Sequence, residues 1–309
     1  MPASDDSLGD MRFSHLYSPP SSQTPRFAVM VNAADGTVAG ALFVDELLDE
    51  APRDLQDFLE SDTATQRRVR DTISVAIKSG ASLTPPAEFV TAPAVLRAPA
   101  IIAIGLNYAD HAAELGLDIA ADPTVFGLWP NSLAGDGDTL TWSEALSAAV
   151  DFEVELGVII GRDVKDASVD EALASVFGYT VVNDITARDI QFRELQWIRC
   201  KSFDGFTPVG PVVVSADELS DPQSLRLTTT VNGIVLQDAS TSAMIRSVAE
   251  LVSFLSQGNT LKAGTLISTG TPAGAGFSRD PKVLLGDGDT VSVSIESIGS
   301  VTTHCRIVA

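Results

Sequence analysis

The segment that most constrains this chain is DFEVELGVIIGRDV, Asp151–Val164, an apolar and β-branched run carrying two acids. Its length and composition predict a strand, and the two-residue alternation of a strand puts Glu153 and Glu155 on one face. Two like charges held side by side are costly unless a cation lies between them. A second apolar run, Tyr179–Val182, leads to Asp184, which offers a third carboxylate from a neighbouring strand end. Three oxygen donors without a Cys or His cluster suit a hard ion such as Mg²⁺ better than zinc. The competing reading is the solvent face of a half-buried strand, where a Glu pair needs no ligand.

The residues that follow favour chemistry. Arg188, Asp189, Gln191 and Lys201 cluster close behind. The Arg188 guanidinium fork matches a substrate carboxylate bidentately, or it pairs with Asp184 or Asp189. Lys201, near the apolar Phe203, is placed to stabilise an enolate, or it is a solvated surface lysine. Upstream, IIAIGLNYADHAAELG predicts a short buried strand, a turn and a helix capped by Asp110 or Asn107. His111 and Glu114 stand at i, i+3 and share a helix face. A carboxylate beside an imidazole fixes its tautomer and raises its basicity, as a general base requires. On an exposed helix the same pair has no function. The other two histidines are His15 and His304, placed by the sequence in an N-terminal tail and near the C-terminus.

Taken together, these segments resemble the fumarylacetoacetate hydrolase family over about residues 98–309. The match to G-x-N-Y-x-x-H-x-x-E is complete at Gly105, Asn107, Tyr108, His111 and Glu114, and the E-x-E, K-S-F-D and T-G-T-P-x-G segments follow in order. The resemblance implies an α+β, β-rich fold, a mixed β-roll with peripheral helices, assembled as a homodimer. It implies Mg²⁺ or Mn²⁺ on Glu153, Glu155 and Asp184, and a water-activating His111–Glu114 dyad on a lid-like element. It further implies Lys201 beside an enolate, and Arg188, Gln191, Gly270 and Thr271 around a small 2-oxo acid substrate. Hydrolysis of a C–C bond in an acylpyruvate-like acid is the first expectation. The alternatives are oxaloacetate decarboxylation or tautomerisation, or isomerisation or hydration of a 2-oxo acid in aromatic-acid catabolism. A catalytically reduced metabolite-binding relative is the alternative of another class. Two positions depart from the pattern. Leu128 stands where the family has Lys, which predicts a less charged distal group on the substrate, and Arg246 stands where an aromatic is usual.

Composition sets the surroundings. A net charge of −21 argues against nucleic acid or an anionic membrane as partner. Two cysteines, Cys200 and Cys305, lack both disulfide-framework and zinc spacing. The acidic start MPASDDSLGD is unlike a targeting peptide, and no apolar run reaches membrane-spanning length, so a cytoplasmic protein is expected. Residues 1–23 read as a mobile tail, 24–97 as a small N-terminal subdomain and 98–309 as the catalytic domain. Within them, hairpins are predicted at Asp35-Gly36 and Asn232-Gly233, and amphipathic helices over Val169–Tyr179 and Ser247–Gly258. ISTGTPAGAGF matches neither nucleotide-binding fingerprint.

Overall fold

A computed structural model describes residues 11–219 and 221–308. Its backbone is an eleven-stranded mixed sheet, a five-stranded sheet and a two-stranded ribbon, with short helices outside them. The large sheet runs in the order Val38–Phe43, Arg26–Asn32, Arg12–Tyr17, Thr207–Ser215, Val176–Asn183, Val154–Ile160, Leu266–Ser268, Ile101–Gly105, Thr124–Gly127, with Val90–Thr91 paired to Arg12–Tyr17 and Leu133–Ala134 to Thr207–Ser215 off this path. The five-stranded sheet runs Ile234–Ser240, Arg226–Val231, Thr290–Ile295, Gly299–Val308, Thr139–Ser143. This is the β-rich mixed fold that the motifs implied.

The strand Val154–Ile160 lies deep in the large sheet and is buried along its whole length. Val154, Leu156, Val158 and Ile160 join the core shared with the five-stranded sheet and the helix Val248–Ser256. Ile159 faces a second core, formed with Phe13, Phe58, Val69 and Ile73 of the N-terminal strands and helices. A strand covered on both faces needs apolar residues at nearly every position, so Glu155 within it and Glu153 just before it are conspicuous. Both hairpins form as predicted, and Asn232 and Gly233 take the positive φ values, 51° and 80°, that such a turn needs. The helix Val248–Ser256 begins in a Ser247–Glu250 capping box.

Three expectations change. Arg12–Tyr17, placed by the sequence in a mobile tail, is a strand paired with Thr207–Ser215, Arg26–Asn32 and Val90–Thr91; residues 1–10 lie outside the described part of the chain. It is six residues long, too short for its alternation to stand out beside the polar SPPSSQTP that follows. The predicted N-terminal subdomain is joined to residues 98–309 through this strand, since both contribute to one sheet. The helix predicted over Val169–Tyr179 stops after Val169–Ala172 and one 3-10 turn. Val176 and Phe177 belong instead to the strand Val176–Asn183, because pairing with Val154–Ile160 and Thr207–Ser215 outweighs local helical spacing.

Candidate active site

The acids meet where two neighbouring antiparallel strands end. Glu155 pairs in register with Val182, and the Asp184 N–H donates to the Glu153 carbonyl at 2.9 Å. This register brings one carboxylate oxygen of each of Glu153, Glu155 and Asp184 within 4.8 Å of the others, all three residues buried. Lys201 Nζ donates to Glu153 Oε2 at 2.7 Å, Asp184 Oδ2 at 2.7 Å and Thr186 Oγ1 at 2.8 Å. Arg188 donates through Nη2 to Glu153 Oε1 at 2.6 Å and through Nε to Asp151 Oδ2 at 2.9 Å. Glu155 Oε2 accepts from Ser268 Oγ at 2.6 Å and from the Gly270 N–H at 2.9 Å.

The electrostatics follow from burial and neighbours. Burial opposes charge on Glu153, but Lys201 and Arg188 outweigh it and hold its pKa at about 2. Asp184 is pushed up to about 6, chiefly by burial, with Lys201 pulling against it. Glu155 is raised well above the ordinary carboxylate range by burial and by its neighbours Asp184 and Glu153. Burial disfavours the Lys201 ammonium, yet Asp184 and Glu153 keep its pKa above the usual lysine value.

The donor set fits a divalent metal ion. Asp151, Glu153, Glu155 and Asp184 are four buried carboxylates facing two buried cations, Arg188 and Lys201, which leaves two negative charges uncompensated when all are ionised. Asp184 Oδ1 is buried with no hydrogen-bond partner, a costly state for a carboxylate oxygen. An all-oxygen set with surplus negative charge and an orphaned ligand atom suits a hard divalent ion.

The predicted dyad faces this cluster. His111 and Glu114 lie on the helix Ala109–Glu114, and His111 Nδ1 is 2.7 Å from Glu114 Oε1. Glu114 Oε2 accepts from the Gly274 N–H at 2.9 Å, so the carboxylate is itself held. Burial raises the Glu114 pKa, but the bonds to His111 and Gly274 prevail and lower it. With Nδ1 engaged, His111 Nε2 points at the acids, 3.9 Å from Glu153 Oε1. Neither predicted cap forms. Asn107 donates to the Arg246 and Thr269 carbonyls at 3.0 and 2.8 Å, and Asp110 accepts from the N–H of its neighbour His111.

One small, partly open cavity is lined by the three acids, His111, Arg188, Gln191, Lys201 and Thr271, together with the apolar Ile104, Leu106, Leu115, Phe126 and Trp197. A larger groove of about 1120 Å³ runs past Arg70, Phe177 and Lys262 but includes none of Glu153, Glu155, Asp184 and His111, which line the smaller cavity. Gly105 permits the close wall, because a Cβ there would lie 2.4 Å from Trp197 Cζ3. Gly270 has φ +96° and passes so near Asn107 that a Cβ would come within 2.8 Å of its side chain.

Several predicted roles shift. Arg188 was expected to clamp a substrate carboxylate or to pair with Asp184 or Asp189. It is fully buried and bonded to Asp151, Glu153 and Gln191 Oε1, because a desolvated guanidinium requires fixed carboxylates. Asp189 instead accepts from Ser147. Lys201 reaches the site but its three donors are committed to protein oxygens. The Gly270 N–H serves Glu155 rather than a substrate oxygen. Thr271 lines the cavity and accepts from Gln237 Nε2 at 2.9 Å. Leu128 does not line the cavity; it is 5% exposed and packs among Ile101, Ala103 and Val209. Sequence reasoning passed over Asp151, although D-x-E-x-E continues the same two-residue alternation. It also passed over Trp197, Gln237 and Ser268, for which no local signal exists.

A family model described as fumarylacetoacetate (FAA) hydrolase C-terminal matches residues 100–306. Over 206 residues the chain is 43% identical to oxaloacetate tautomerase YisK of Bacillus subtilis (strain 168), covering 66% of this chain and 68% of that protein. It is 34% identical over 268 residues to the mitochondrial oxaloacetate tautomerase FAHD2A of Bos taurus, covering 86% and 84%. Among solved structures, 2-hydroxyhepta-2,4-diene-1,7-dioate isomerase from Mycobacterium marinum aligns with a TM-score of 0.73 at 32% identity, covering 96% of this chain and 98% of that one.

Proposed function

Since the chain belongs to the fumarylacetoacetate hydrolase family, we propose that it is a Mg²⁺- or Mn²⁺-dependent keto–enol tautomerase of oxaloacetate-like 2-oxo acids. The observation that carries the reading is the aim of His111 Nε2 into the cavity of the acid cluster, with Nδ1 tied to Glu114. Proton transfer next to a ketone needs a base at that place and no second reactant. The relatives named as tautomerases and the isomerase-named structure support it over the C–C hydrolysis expected first.

Glu153, Glu155 and Asp184 would hold the ion, which would supply Lewis-acid polarisation of the substrate. His111 Nε2 takes the proton from the carbon beside the ketone and returns a proton to the oxygen, or the reverse. Glu114 keeps Nδ1 protonated and the ring oriented through this cycle. Lys201 and Arg188 hold Glu153 in place and ionised, and Lys201 also fixes Asp184. Ile104, Leu115, Phe126 and Trp197 limit water at the reacting carbon.

The test follows the decay of enol-oxaloacetate by absorbance, with and without EDTA, alongside cleavage of an acylpyruvate. Acceleration that EDTA removes is expected, and His111→Ala should slow kcat by on the order of 10²–10⁴ with metal affinity unchanged. Cleavage of the acylpyruvate with no effect on enol decay would make the protein a hydrolase. Mg²⁺ binding without turnover of either would make it a binding protein.

A further inference from the structure

The helix that carries the dyad is poorly anchored by itself. Ala109–Glu114 is six residues long, too short to persist alone in water. It is entered through Leu106, a non-glycine residue with φ 57°, and left through Gly116 with φ 67°. Residues 117–122 beyond it are exposed, and the chain rejoins the sheet only at Thr124, opposite Gly105. Glu114 anchors the helix end to Gly274. The Leu117 N–H donates to the Ala112 carbonyl of that same helix at 3.0 Å. Among the described residues, the hydrogen bonds that reach the exit arm 117–123 from outside the segment 106–123 come from Arg246, whose Nη2 donates to the Ala121 carbonyl and, at 3.4 Å, to that of Ala120.

The same residue grips the entry. The Arg246 N–H donates to Asn107 Oδ1 at 2.8 Å, Asn107 Nδ2 donates to the Arg246 carbonyl at 3.0 Å, and the neighbouring Ile245 N–H donates to the Asn107 carbonyl at 2.7 Å. Main chain at one end and guanidinium at the other therefore tie both ends of the segment 106–123 to a single point. Arg246 is also the position where the family usually has an aromatic, whose ring cannot make this pair of donations. We infer that Arg246 is a positioning residue, a clasp that holds the dyad-bearing segment closed over the acid cluster so that His111 keeps its aim.

The catalytic side of this inference rests on the reading of His111 as the proton-transfer base; the structural side does not. The full-length chain is compared as wild type, Arg246→Met and Arg246→Lys, by thermolysin cleavage within 117–123, by Mg²⁺ calorimetry and by enol-oxaloacetate kinetics. A charge-assisted hydrogen bond lost from a closed state shifts the open–closed balance by about tenfold or more. Arg246→Met should therefore be cleaved about tenfold faster in this arm and show a KM raised by a similar factor. kcat should fall much less and Mg²⁺ affinity should hold, since no metal ligand moves. Arg246→Lys, able to donate to one carbonyl as a point charge, should fall between the two, and it decides the matter should Arg246→Met fail to fold. Equal cleavage rates and KM values in all folded forms would overturn the clasp. Faster cleavage in a protein that turns over no 2-oxo acid would keep the clasp and discard the proposed activity.

Discussion

Two polar clusters of this molecule are built on opposite plans, one centred on the buried His15 and Asp54 with exposed arginines beside them, the other buried throughout. At the junction of the N-terminal helices with the sheet, His15 Nδ1 donates to the Pro93 carbonyl at 3.3 Å and Nε2 accepts from the Leu55 N–H at 3.1 Å. Beside it Asp54 takes two bonds from Arg97, at 2.7 and 2.9 Å, and caps the helix Leu55–Glu60. Asp57 pairs with Arg97 and Arg53, so two acids meet two arginines. Burial lowers the His15 pKa to about 4 and keeps the ring neutral. At the other cluster the acids outnumber the cations, one carboxylate oxygen has no partner, and Glu155 and Asp184 are both raised. A balanced cluster holds architecture together; a cluster with surplus negative charge is relieved by taking up protons or a further cation. The first kind specifies a fold and the second a ligand.

The contrast is broken most severely inside the acid cluster. Glu153 is the shared partner of Arg188 and Lys201, so Glu153→Ala leaves each of these buried cations a single carboxylate, Asp151 and Asp184, and should cost about 3 kcal/mol, besides abolishing divalent binding. Glu155→Gln removes a like charge from the same site while keeping its shape. It should unfold no earlier than wild type in EDTA, yet gain no stability from Mg²⁺. Thermal melts with and without Mg²⁺, paired with calorimetry, check both; metal-stabilised Glu155→Gln would remove Glu155 from the ligand set.

A milder intervention asks what Leu128 does. The sequence suggested that a neutral residue here tunes the substrate's distal group, but its burial among Ile101, Ala103 and Val209 makes it part of the core. Leu128→Lys should therefore lower Tm by several degrees, as burying an unpaired ammonium demands, and leave the ratio of kcat/KM for oxaloacetate and an aryl 2-oxo acid unchanged. A changed ratio at unchanged Tm would return Leu128 to the substrate.

The smallest effect tests the balanced cluster through pH. Above about pH 6.5, His15 is neutral in both folded and unfolded chains and adds no pH dependence. As pH falls toward 4 the unfolded chain binds a proton that the folded one refuses, so stability is lost across this window. Between pH 7 and 5 the loss should be about 2 kcal/mol. His15→Gln, which keeps one donor and one acceptor, should flatten that part of the profile in urea titrations. An equally steep decline in the variant would assign the pH dependence elsewhere.

The sequence by itself determined the elements of this site that depend on local geometry. Alternation along a strand brought Glu153 and Glu155 to one face, a run of two strand ends supplied Asp184, and helical spacing joined His111 to Glu114. Each of these needs only a period of two or of three to four residues, and such periods are written in the chain. What the tertiary structure alone decided depends on contacts between distant segments. Arg188 spends its charge on Asp151 and Glu153, 37 and 35 residues away, and Glu155 is held from Ser268 and Gly270, 113 and 115 residues away. Arg12–Tyr17 becomes a strand because Thr207–Ser215 is there to pair with it. Leu128 and Arg246 exchanged their expected importance for the same reason. A strand end turned the first into the core, and the return of residues 244–246 beside Asn107 set the second against the dyad's own segment. Long-range pairing and burial choose among partners that a local pattern leaves equivalent, since desolvation penalises every charge until a specific neighbour compensates it.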